Sequence, residues 1–506
     1  MKRNRKYIGV DLGTSAVKLL LMDERGSVLN IVSREYPISY PSAGWSEQNP
    51  EDWFREVMAG IRELIMDYEK AEIAGIGVAG QMHGLVVLDA EDRVIRPAIL
   101  WNDGRTFREV EYLNHVIGEE KLLQATSNIA FAGFIAPKIL WMKDKEPDLF
   151  SQIHKIMLPK DYINYRLTGI FATEYSDAAG TLLLDVRNRR WSEEMLRICG
   201  IQATQLPEVY QSYEAIGTLR PEIAEELGLG GEVKVAAGAA DNAAAAIGTG
   251  TVGDGSCNIS LGTSGTLLIP CSDYASEWGN ALHTFIHADG SFYLMGCILS
   301  AASCNKWFME QILQNKEYHT AQKAISEEKL GRNQVFFLPY LMGERSPIND
   351  TDARGVFLGM SMDSTAEDLL LAVLEGVGFA LRDCMEIARE EGIRITHSTI
   401  CGGGARSRLW IKIIANILNT EMNIVETEEG PGYGGAMLAA VACGEYGSVQ
   451  ECAEHMIHIT ETIYPDAELA ARYERQYRKF RNIYPALKPV FRKISVKEIT
   501  ELEKPR

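Results

Sequence analysis

A short loop sequence rich in glycine and hydroxyl groups occurs twice in this chain, half a chain apart. Residues 12–15 and 261–264 both read Leu-Gly-Thr-Ser. Each copy leads into an apolar, strand-like segment, at residues 17–22 and 266–269. Two ordinary hairpin turns would also contain glycine, but a plain turn does not need threonine and serine beside it. The repeat therefore predicts a duplicated domain, with one such loop in each half.

The loops have the chemistry of a phosphate-binding site. Backbone N–H groups and side-chain hydroxyls both donate hydrogen bonds to phosphate oxygens. The first copy carries Thr14 and Ser15 and is followed by Lys18, and the second copy carries Gly262 and Thr263. We therefore expect one phosphate loop in each half of the chain.

An acidic residue lies shortly before the second loop. Asp241 ends a short apolar run, Asn242 follows it, and the four alanines after that favour a helix. Asp254, the other aspartate of this stretch, lies between two glycines and is typical of a turn. A strand-end carboxylate about two elements away from a phosphate loop suits phosphoryl transfer to a hydroxyl, because the carboxylate accepts the hydroxyl proton.

A second acidic residue opens the first loop. Asp11 follows a short apolar strand that begins at Tyr7. A carboxylate in this place can hold Mg²⁺ beside phosphates, directly or through water. A turn-capping aspartate is the common alternative. The repeated loop beside Asp11 favours the metal role.

Two further strand ends carry clusters of hydrogen-bonding side chains. Gln81, Met82 and His83 precede Gly84, whose backbone allows close approach of a ligand, whereas a lone histidine is more often structural. Residues 101–105 read Trp-Asn-Asp-Gly-Arg, with Trp101 and Asp103 as candidate sugar contacts. A type I turn is the alternative for that segment. Together these side chains have the composition of a sugar pocket.

Three consecutive glycines separate a strand from a helix in the second half of the chain. Gly403 and Gly404 belong to this run and Ala405 follows it, with a helix expected from about Ser407. Glycines let a flat ring approach the backbone, which fits an adenine or α-phosphate site, although plain linkers also contain them. The glycine-rich residues 430–435 are expected to precede a helix of small residues at 436–443, near that site.

Strand-like and helix-like segments alternate through the first half, which predicts an α/β fold. A helix is expected from Pro50 to about Tyr68, and a polar loop at residues 174–180. An amphipathic helix is expected at residues 300–314 and a long helix at 365–391. Residues 75–80 and 248–253 match the dinucleotide pattern G-x-G-x-x-G. The first match leads into another strand and the second follows a helix, so neither predicts a dinucleotide site.

Length, charge and cysteine usage limit the remaining function classes. A chain of 506 residues predicts two or three domains, and we place them at residues 1–245 and 246–490, with a peripheral tail at 491–506. The net charge of −18 argues against a nucleic-acid partner and an anionic membrane surface. No signal-peptide region or membrane-spanning run is evident, and the nine cysteines include no Cys-x-x-Cys, which predicts a cytoplasmic protein with reduced thiols. His283 and His287 lie on a strand-like segment, where their spacing does not favour a zinc site.

Taken together, these segments resemble the FGGY carbohydrate kinases over essentially the whole chain. The matching motifs are, in order, DLGTSAVK, GQMHG, ILWNDGR, LPKDY, SDAAGTLLLDV, GAADNAA, SLGTSG, SAAS, LPYLMGERSP, RGVFLGM, LEG and GGGA. Residues 355–375 fit the second signature of that family. The first signature, around residues 133–145, departs at Ile135, where a small hydroxyl residue or proline is usual, and at Lys145, where an amide or glutamate is usual.

The resemblance implies two α/β domains of the actin/hexokinase-like (ribonuclease H-like) fold on either side of a catalytic cleft. It implies ATP and Mg²⁺ as cofactors and phosphorylation of D-xylulose at its C5 hydroxyl, with Asp241 as general base and Asp11 at the metal. Contacts to the ketopentose would come from Met82 and His83, with help from Asn242, Trp101 and Asp103. Phosphates would be held by Thr14, Ser15, Gly262 and Thr263, and adenosine by Gly403, Gly404 and Ala405.

Two alternatives stay open at this point. One is a kinase for another ketopentose, such as ribulose, or for a related polyol, because a few hydrogen bonds read the stereochemistry. The other is a sugar sensor or actin-like scaffold that binds ATP without transferring phosphate, which would be expected to lose the acid at position 241. A homodimer is an expectation that no residue pattern decides.

Overall fold

The computed structural model describes residues 4–274, 281–427 and 429–495. Each half of the chain is built around a seven-stranded sheet. In the first half the strand order is β13-β14-β5-β1-β2-β3, with β15 also paired to β5. These strands span β1 Lys6–Leu12, β2 Ala16–Asp23, β3 Val28–Glu35, β5 Ile73–Gly80, β13 Ala215–Thr218, β14 Lys234–Ala236 and β15 Ala239–Ala240.

Shorter strand pairs and helices complete the first half. The minor strands are β4 Glu47–Gln48, β6 Val86–Leu88, β7 Ala98–Ile99, β8 Lys155–Met157, β9 Ala172–Glu174, β10 Leu184–Asp185, β11 Arg190–Trp191 and β12 Glu208–Tyr210. The helices are α1 Pro50–Leu64, α2 Phe107–Glu111, α3 Glu119–Thr126, α4 Ile135–Lys145, α5 Pro147–Phe150, α6 Pro159–Thr168, α7 Tyr175–Ala178, α8 Glu193–Cys199, α9 Pro221–Leu227 and α10 Asp241–Gly248.

The sheet of the second half has the order β18-β19-β17-β16-β22-β23-β24. Its strands are β16 Asn258–Leu261, β17 Gly265–Cys271, β18 His283–Ile286, β19 Phe292–Ile298, β22 His397–Cys401, β23 Glu421–Val425 and β24 Ile459–Ile463, and β20 Phe336–Leu338 pairs with β21 Val356–Leu358. The helices are α11 Ala302–Trp307, α12 Tyr318–Lys323, α13 Ala366–Glu390, α14 Arg408–Leu418, α15 Gly430–Ala442, α16 Val449–Met456, α17 Ala467–Phe480 and α18 Ile483–Ser495.

The two sheets share one plan at the position of the repeated loop. In the first half, β1 pairs antiparallel with β2 and parallel with β5. In the second half, β16 pairs antiparallel with β17 and parallel with β22. Each Leu-Gly-Thr-Ser sequence therefore runs from the end of the first strand into the hairpin that joins it to the second. The topology supports the duplication inferred from the repeat.

Some predicted elements differ from the structure. The polar residues 174–180 were expected as a loop, but they form α7 and a 3₁₀ turn, Ala179–Thr181, because Glu174 accepts hydrogen bonds from the N–H groups of Ser176 and Asp177 at 2.7 and 2.9 Å. The helix expected at 300–314 is α11 followed by a π-helical turn, Phe308–Ile312. The long helix is confirmed as α13, capped by Thr365.

The domain boundary expected at residue 245 falls within α10, and the tail expected from residue 491 begins within α18. Phe491 is buried, and residues 496–506 lie outside the described ranges. Within the described residues, no helix is both long enough and apolar enough to cross a membrane.

Helix α15 joins the two halves through direct backbone contact. The glycines at 430–435 were expected to precede a helix near the nucleotide, but they form its first turns. A side chain on Gly434 would overlap the carbonyl oxygen of Ala244 in α10, and one on Gly77 of β5 would overlap the carbonyl oxygen of Gly435. Gly9 of β1 lies equally close to the carbonyl of Gly432. Only glycine permits this approach between α15, α10 and the first sheet.

We expect Gly434→Ala to destabilise the protein by at least about 1–3 kcal/mol, because the added methyl group must push α15 away from α10. Gly231→Ala is the matched control, since a methyl group there meets no atom within 4 Å. Thermal or denaturant unfolding of the two variants measures the difference. Equal stability of both variants would contradict the contact.

Candidate active site

Two carboxylates meet at one edge of the first sheet. Asp11 in β1 pairs with Ala79 of β5, and Ala239 and Ala240 of β15 pair with the same end of β5 on its other side. Asp241 follows directly as the first residue of α10. The carboxyl ends of these parallel strands thus bring Asp11 and Asp241 together, as their positions at predicted strand ends implied.

The environment of both acids favours the protonated form. Burial and the nearby charge of Asp11 raise the pKa of Asp241 to about 7, against one opposing hydrogen bond of 2.7 Å from the N–H of Asn242. Burial raises the pKa of Asp11 to about 6, with Lys18 opposing the shift and Glu429 adding to it. Lys18 itself forms an ion pair with Glu429 at 2.9 Å. An acid whose pKa lies near neutrality is suited to accept a proton.

The same pair of acids is a suitable donor set for a divalent cation. Within the described ranges no group of three metal-binding side chains occurs. Mg²⁺ in phosphate sites is usually held by one or two carboxylates and completes its shell with phosphate oxygens and water. The charge of Asp11 raises the pKa of Asp241 and that of Glu429 raises the pKa of Asp11, so negative charge at this edge is incompletely compensated and the residues fit such an ion.

The first hairpin loop is held from behind by hydrogen bonds to its carbonyl groups. Gln48 donates to the carbonyl of Thr14 at 2.7 Å, and the hydroxyl of Tyr36 donates to that of Gly13. The indole N–H of Trp101 donates to the Thr14 hydroxyl at 2.9 Å, and Ser15 is exposed. Trp101 was expected at the sugar, but the structure places it on the phosphate loop, with 48% of its surface exposed.

Met82 and His83 lie side by side at the end of β5, next to Asp241. His83 has a left-handed backbone, with φ of 69°, and its Nδ1 lies 2.7 Å from the carbonyl of Gly180. Burial and then the charge of Lys138 lower the pKa of His83 to about 3, so the ring is neutral and Nε2 points away from the Gly180 contact. Asn242 Nδ2 lies 3.6 Å from the sulfur of Met82. The predicted sugar-binding residues Met82, His83 and Asn242 therefore form one cluster.

Sequence reasoning did not find the residues that position this cluster. The Lys138 ammonium, which is fully buried, donates to the carbonyls of His83 and Gly133 at 2.7 Å each. A side chain on Gly180 would come within 2.8 Å of both Met82 and His83. Lys138 and Gly180 each stand in a recognised motif, but nothing in the residue types indicated which backbone groups they would contact.

A buried ionic cluster lies behind Asp241. Lys160 contacts the carboxylates of Asp161, Glu174 and Asp177 at 2.7, 3.4 and 3.8 Å, and all four side chains are essentially inaccessible. Glu174 accepts from the hydroxyl of Ser176, which in turn accepts from the N–H of Ala240 at 3.0 Å. This chain of hydrogen bonds fixes the residue immediately before Asp241. It explains why the polar segment 174–180 is buried.

Two predicted substrate contacts, Asp103 and Gly84, make close contacts within the protein. Asp103 is buried, accepts from the N–H of Ser46 at 2.6 Å and pairs with Arg105 at 2.7 Å, so its carboxylate is used within the protein. A side chain on Gly84 would overlap Pro159, so glycine is needed there for packing.

The second hairpin loop borders a cavity of about 670 Å³. The carbonyl of Gly262 accepts from Ala302 N–H and that of Thr263 from Ala301 N–H, both at 2.9 Å, so this loop is also held from behind. Gly262, Thr263, Gly403 and Gly404 all line the cavity, together with Lys306 and Arg406. The cavity thus combines the predicted second phosphate loop, the triple glycine and local positive charge in an acidic protein.

The two glycines of the cavity are not equivalent. A side chain on Gly403 would meet no protein atom within 4 Å, so this residue faces open space. A side chain on Gly404 would come within 2.8 Å of Leu261 and 2.9 Å of Trp410. Gly404 was expected to make room for a ring, but its immediate role is packing, and Gly403 is the position that opens to the cavity. Ala405 belongs to the 3₁₀ turn Gly403–Arg406.

We expect Gly403→Val to raise the KM for ATP at least about tenfold, because the isopropyl group would occupy ligand space. The KM for the sugar and the melting temperature should stay close to those of the wild type. Gly404→Val should instead lower the melting temperature, since it must displace Trp410. Steady-state kinetics and thermal unfolding of both variants separate the two roles, and an unchanged KM for ATP in Gly403→Val would argue against a nucleotide in this cavity.

Comparison with known proteins gives independent information. The model of the FGGY family of carbohydrate kinases matches residues 6–248 with its N-terminal domain and residues 257–443 with its C-terminal domain. The xylulose kinase of Bacillus subtilis (strain 168) is 40% identical over 483 residues, which cover 95% of this chain and 97% of that protein.

Solved structures agree with the sequence comparison. The crystal structure of a xyloylose kinase from Brucella ovis has a TM-score of 0.91 at 40% identity and covers 96% of this chain and 100% of its own. That of gluconate kinase from Lactobacillus acidophilus has a TM-score of 0.92 at 26% identity, covering 97% and 100%. The expected fold of two actin/hexokinase-like α/β domains is confirmed. Since the two family models match most of its length, the chain belongs to the FGGY family of carbohydrate kinases.

Proposed function

We propose that the protein transfers the γ-phosphoryl group of ATP to the C5 hydroxyl of D-xylulose. The observation that carries the proposal is the position of Asp241. Its half-buried carboxylate lies beside the cluster of Met82, His83 and Asn242, at the sheet edge that also bears the first phosphate loop. Relatives at 40% identity over nearly the whole chain, from Bacillus subtilis and Escherichia coli, are xylulose kinases.

Asp241 accepts the proton of the attacking hydroxyl in this proposal. The hydrogen bond from Asn242 N–H fixes one carboxylate oxygen, and Ser176 fixes the preceding residue. The neutral imidazole of His83 offers Nε2 to a sugar oxygen, because Nδ1 is occupied by the carbonyl of Gly180. A rigid base and a rigid hydrogen-bonding partner hold the hydroxyl in one orientation, which is a large part of the catalytic effect in phosphoryl transfer.

The nucleotide lies between the two hairpin loops. Thr14, Ser15 and Lys18 would contact phosphate from the first half, and Gly262 and Thr263 from the second. Adenosine would occupy the cavity beside Gly403. Asp11 would hold Mg²⁺, which when bound neutralises phosphate charge and orients the phosphoryl group for attack.

The substrate is tested by coupled turnover assays of the wild-type protein with ATP and a panel of D-xylulose, D-ribulose, xylitol and D-gluconate. Gluconate belongs in the panel because the gluconate kinase has the same overall fold at a similar TM-score. We expect the highest kcat/KM for D-xylulose. A higher value for another member would reassign the substrate, and no turnover with any would favour a non-catalytic sensor.

Asp241→Asn should lower kcat by about 10²–10⁴-fold, the usual contribution of a positioned base. The amide keeps the shape of the side chain, so calorimetric titration should show D-xylulose binding close to that of the wild type. Asp254→Asn is the matched control, because Asp254 is exposed on the second half and its hydrogen bonds within the described residues are to Ser272. Turnover of Asp241→Asn near the wild-type rate would refute the general-base role.

The pH dependence follows from the raised pKa of Asp241, about 7. The base must be ionised, so kcat/KM should fall about tenfold per pH unit as the pH drops below about 7. An unperturbed aspartate would place this limb near pH 4. The residual activity of Asp241→Asn should lack the limb, and a limb that persists in this variant would assign it to another group.

A further inference from the structure

Strands β18 and β19 of the second half form a wall that faces the sugar-binding cluster of Met82, His83 and Asn242. Successive residues of a strand alternate between its two faces, so Tyr293, Met295 and Cys297 of β19 share one face. The sulfur of Met295 lies 3.7 Å from Asn242 Nδ2. His283 of β18 lies opposite Met295 in register. Since Asn242 follows the general base, this face of β18 and β19 lies against the substrate site.

Arg345 lies at one end of this wall on a fixed loop. The buried carboxylate of Glu344 accepts from the N–H groups of Leu299 and Arg345, both at 2.8 Å. Ser346 N–H donates to the carbonyl of Cys297 at 3.0 Å. The backbone on both sides of Arg345 is thereby tied to the end of β19, so the position of its side chain is set by the second half of the chain.

The guanidinium group of Arg345 reaches the aromatic residues that surround His83. Its central carbon lies 4.6 Å from the ring centre of Phe131. Phe131 contacts Phe134 at 5.7 Å between ring centres, and Phe134 contacts His83 at 4.7 Å. The charge of Arg345 also adds to the effects of burial and Lys138 that lower the pKa of His83. Arg345 therefore lies on the His83 side of the sugar-binding cluster.

Among the residues that the structure describes, no carboxylate forms an ion pair with the half-buried Arg345, although its side chain bonds to the Cys297 thiol and its charge lowers the pKa of Glu344. A half-buried cation without an anion is costly unless other groups satisfy its five N–H donors. A ketopentose carries hydroxyl and carbonyl oxygens along its whole length, and these are the acceptors that such a fork of donors can bind.

We propose that Arg345 binds the ketopentose from the second half of the chain, donating hydrogen bonds to the sugar oxygens farthest from Asp241. The direction follows from β19, because the hydroxyl of Tyr293 is buried near Asp241 whereas Cys297 is bonded to the loop of Arg345. Four residues of strand separate these ends by roughly 13 Å. The inference rests on the proposed ketopentose kinase activity and adds a specificity-determining residue to it.

The test compares Arg345→Lys, which keeps the charge but loses the planar fork, with Arg345→Ala. Arg354→Ala is the matched control, because Arg354 is exposed nine positions along and, in the part of the chain that the structure describes, donates to the carbonyls of Thr351 and Ala353. In both Arg345 variants the KM for D-xylulose should rise by about 10- to 100-fold, the usual effect of losing a charged hydrogen bond. The KM for ATP should stay within about threefold. Millimolar guanidinium should restore part of the sugar affinity of Arg345→Ala, which a merely structural role would not allow.

Each outcome decides the proposal. A sugar KM close to that of the wild type in Arg345→Lys and Arg345→Ala would overturn it. Equal increases in KM for sugar and ATP would overturn it as well, because they would assign Arg345 to domain closure. If Arg345→Ala fails to fold, Arg345→Lys carries the test through the same KM comparison. A wild-type protein that turns over no ketopentose would instead refute the proposed function before any variant is compared.

Discussion

The contact between helix α15 and the first sheet determines how the two halves meet. The carbonyls of Gly432 and Gly435 lie so close to β1 and β5, and Gly434 so close to α10, that a side chain on Gly9, Gly77 or Gly434 would overlap the facing backbone. Helix α10 begins with Asp241, and α15 follows shortly after β23 in the second sheet. The glycine contact therefore fixes Asp241, the proposed base, relative to the half that contains the cavity of about 670 Å³. Any loss of fit at this contact would change the position of Asp241 relative to the hairpin loop of the second half.

Charged side chains near the candidate site are paired or clustered locally, although the chain as a whole is strongly acidic. Lys160 is surrounded by three buried carboxylates, and burial raises the pKa of Asp177 while the charge of Lys160 opposes the shift. Asp11 and Asp241 lie at the open edge of the same region with pKa values near 6 and 7. Lys306 and Arg406 line the cavity of about 670 Å³ in the second half. Basic side chains thus lie near both hairpin loops, Lys18 at the first and Lys306 and Arg406 at the second, in a chain with a net charge of −18.

The sequence predicted the site positions of residues whose side-chain chemistry is evident from a short motif. The repeated loop, the acids Asp11 and Asp241 and the pair Met82 and His83 come together as expected, because each follows a strand and parallel strands end at one edge. Contacts made by geometry alone were not predictable. Asp103 has the right chemistry for a sugar, but Arg105 two residues later takes its carboxylate. The sequence did not predict that one face of β19 lies against the sugar-binding cluster. Every residue of that strand is buried, so no alternation of polar and apolar residues distinguishes its two faces.

Trp101 lies at the solvent-exposed side of the first hairpin loop. Its indole N–H bonds to the Thr14 hydroxyl in the first phosphate loop while nearly half of the side chain faces solvent. Indole emission depends on the polarity and hydrogen bonding around the ring. Under the proposed function, a phosphate that takes the Thr14 hydroxyl as its own partner would change both, without any label being attached. The proposed phosphate site would therefore have an intrinsic optical reporter at the first hairpin loop, through which ligand arrival could be followed in real time.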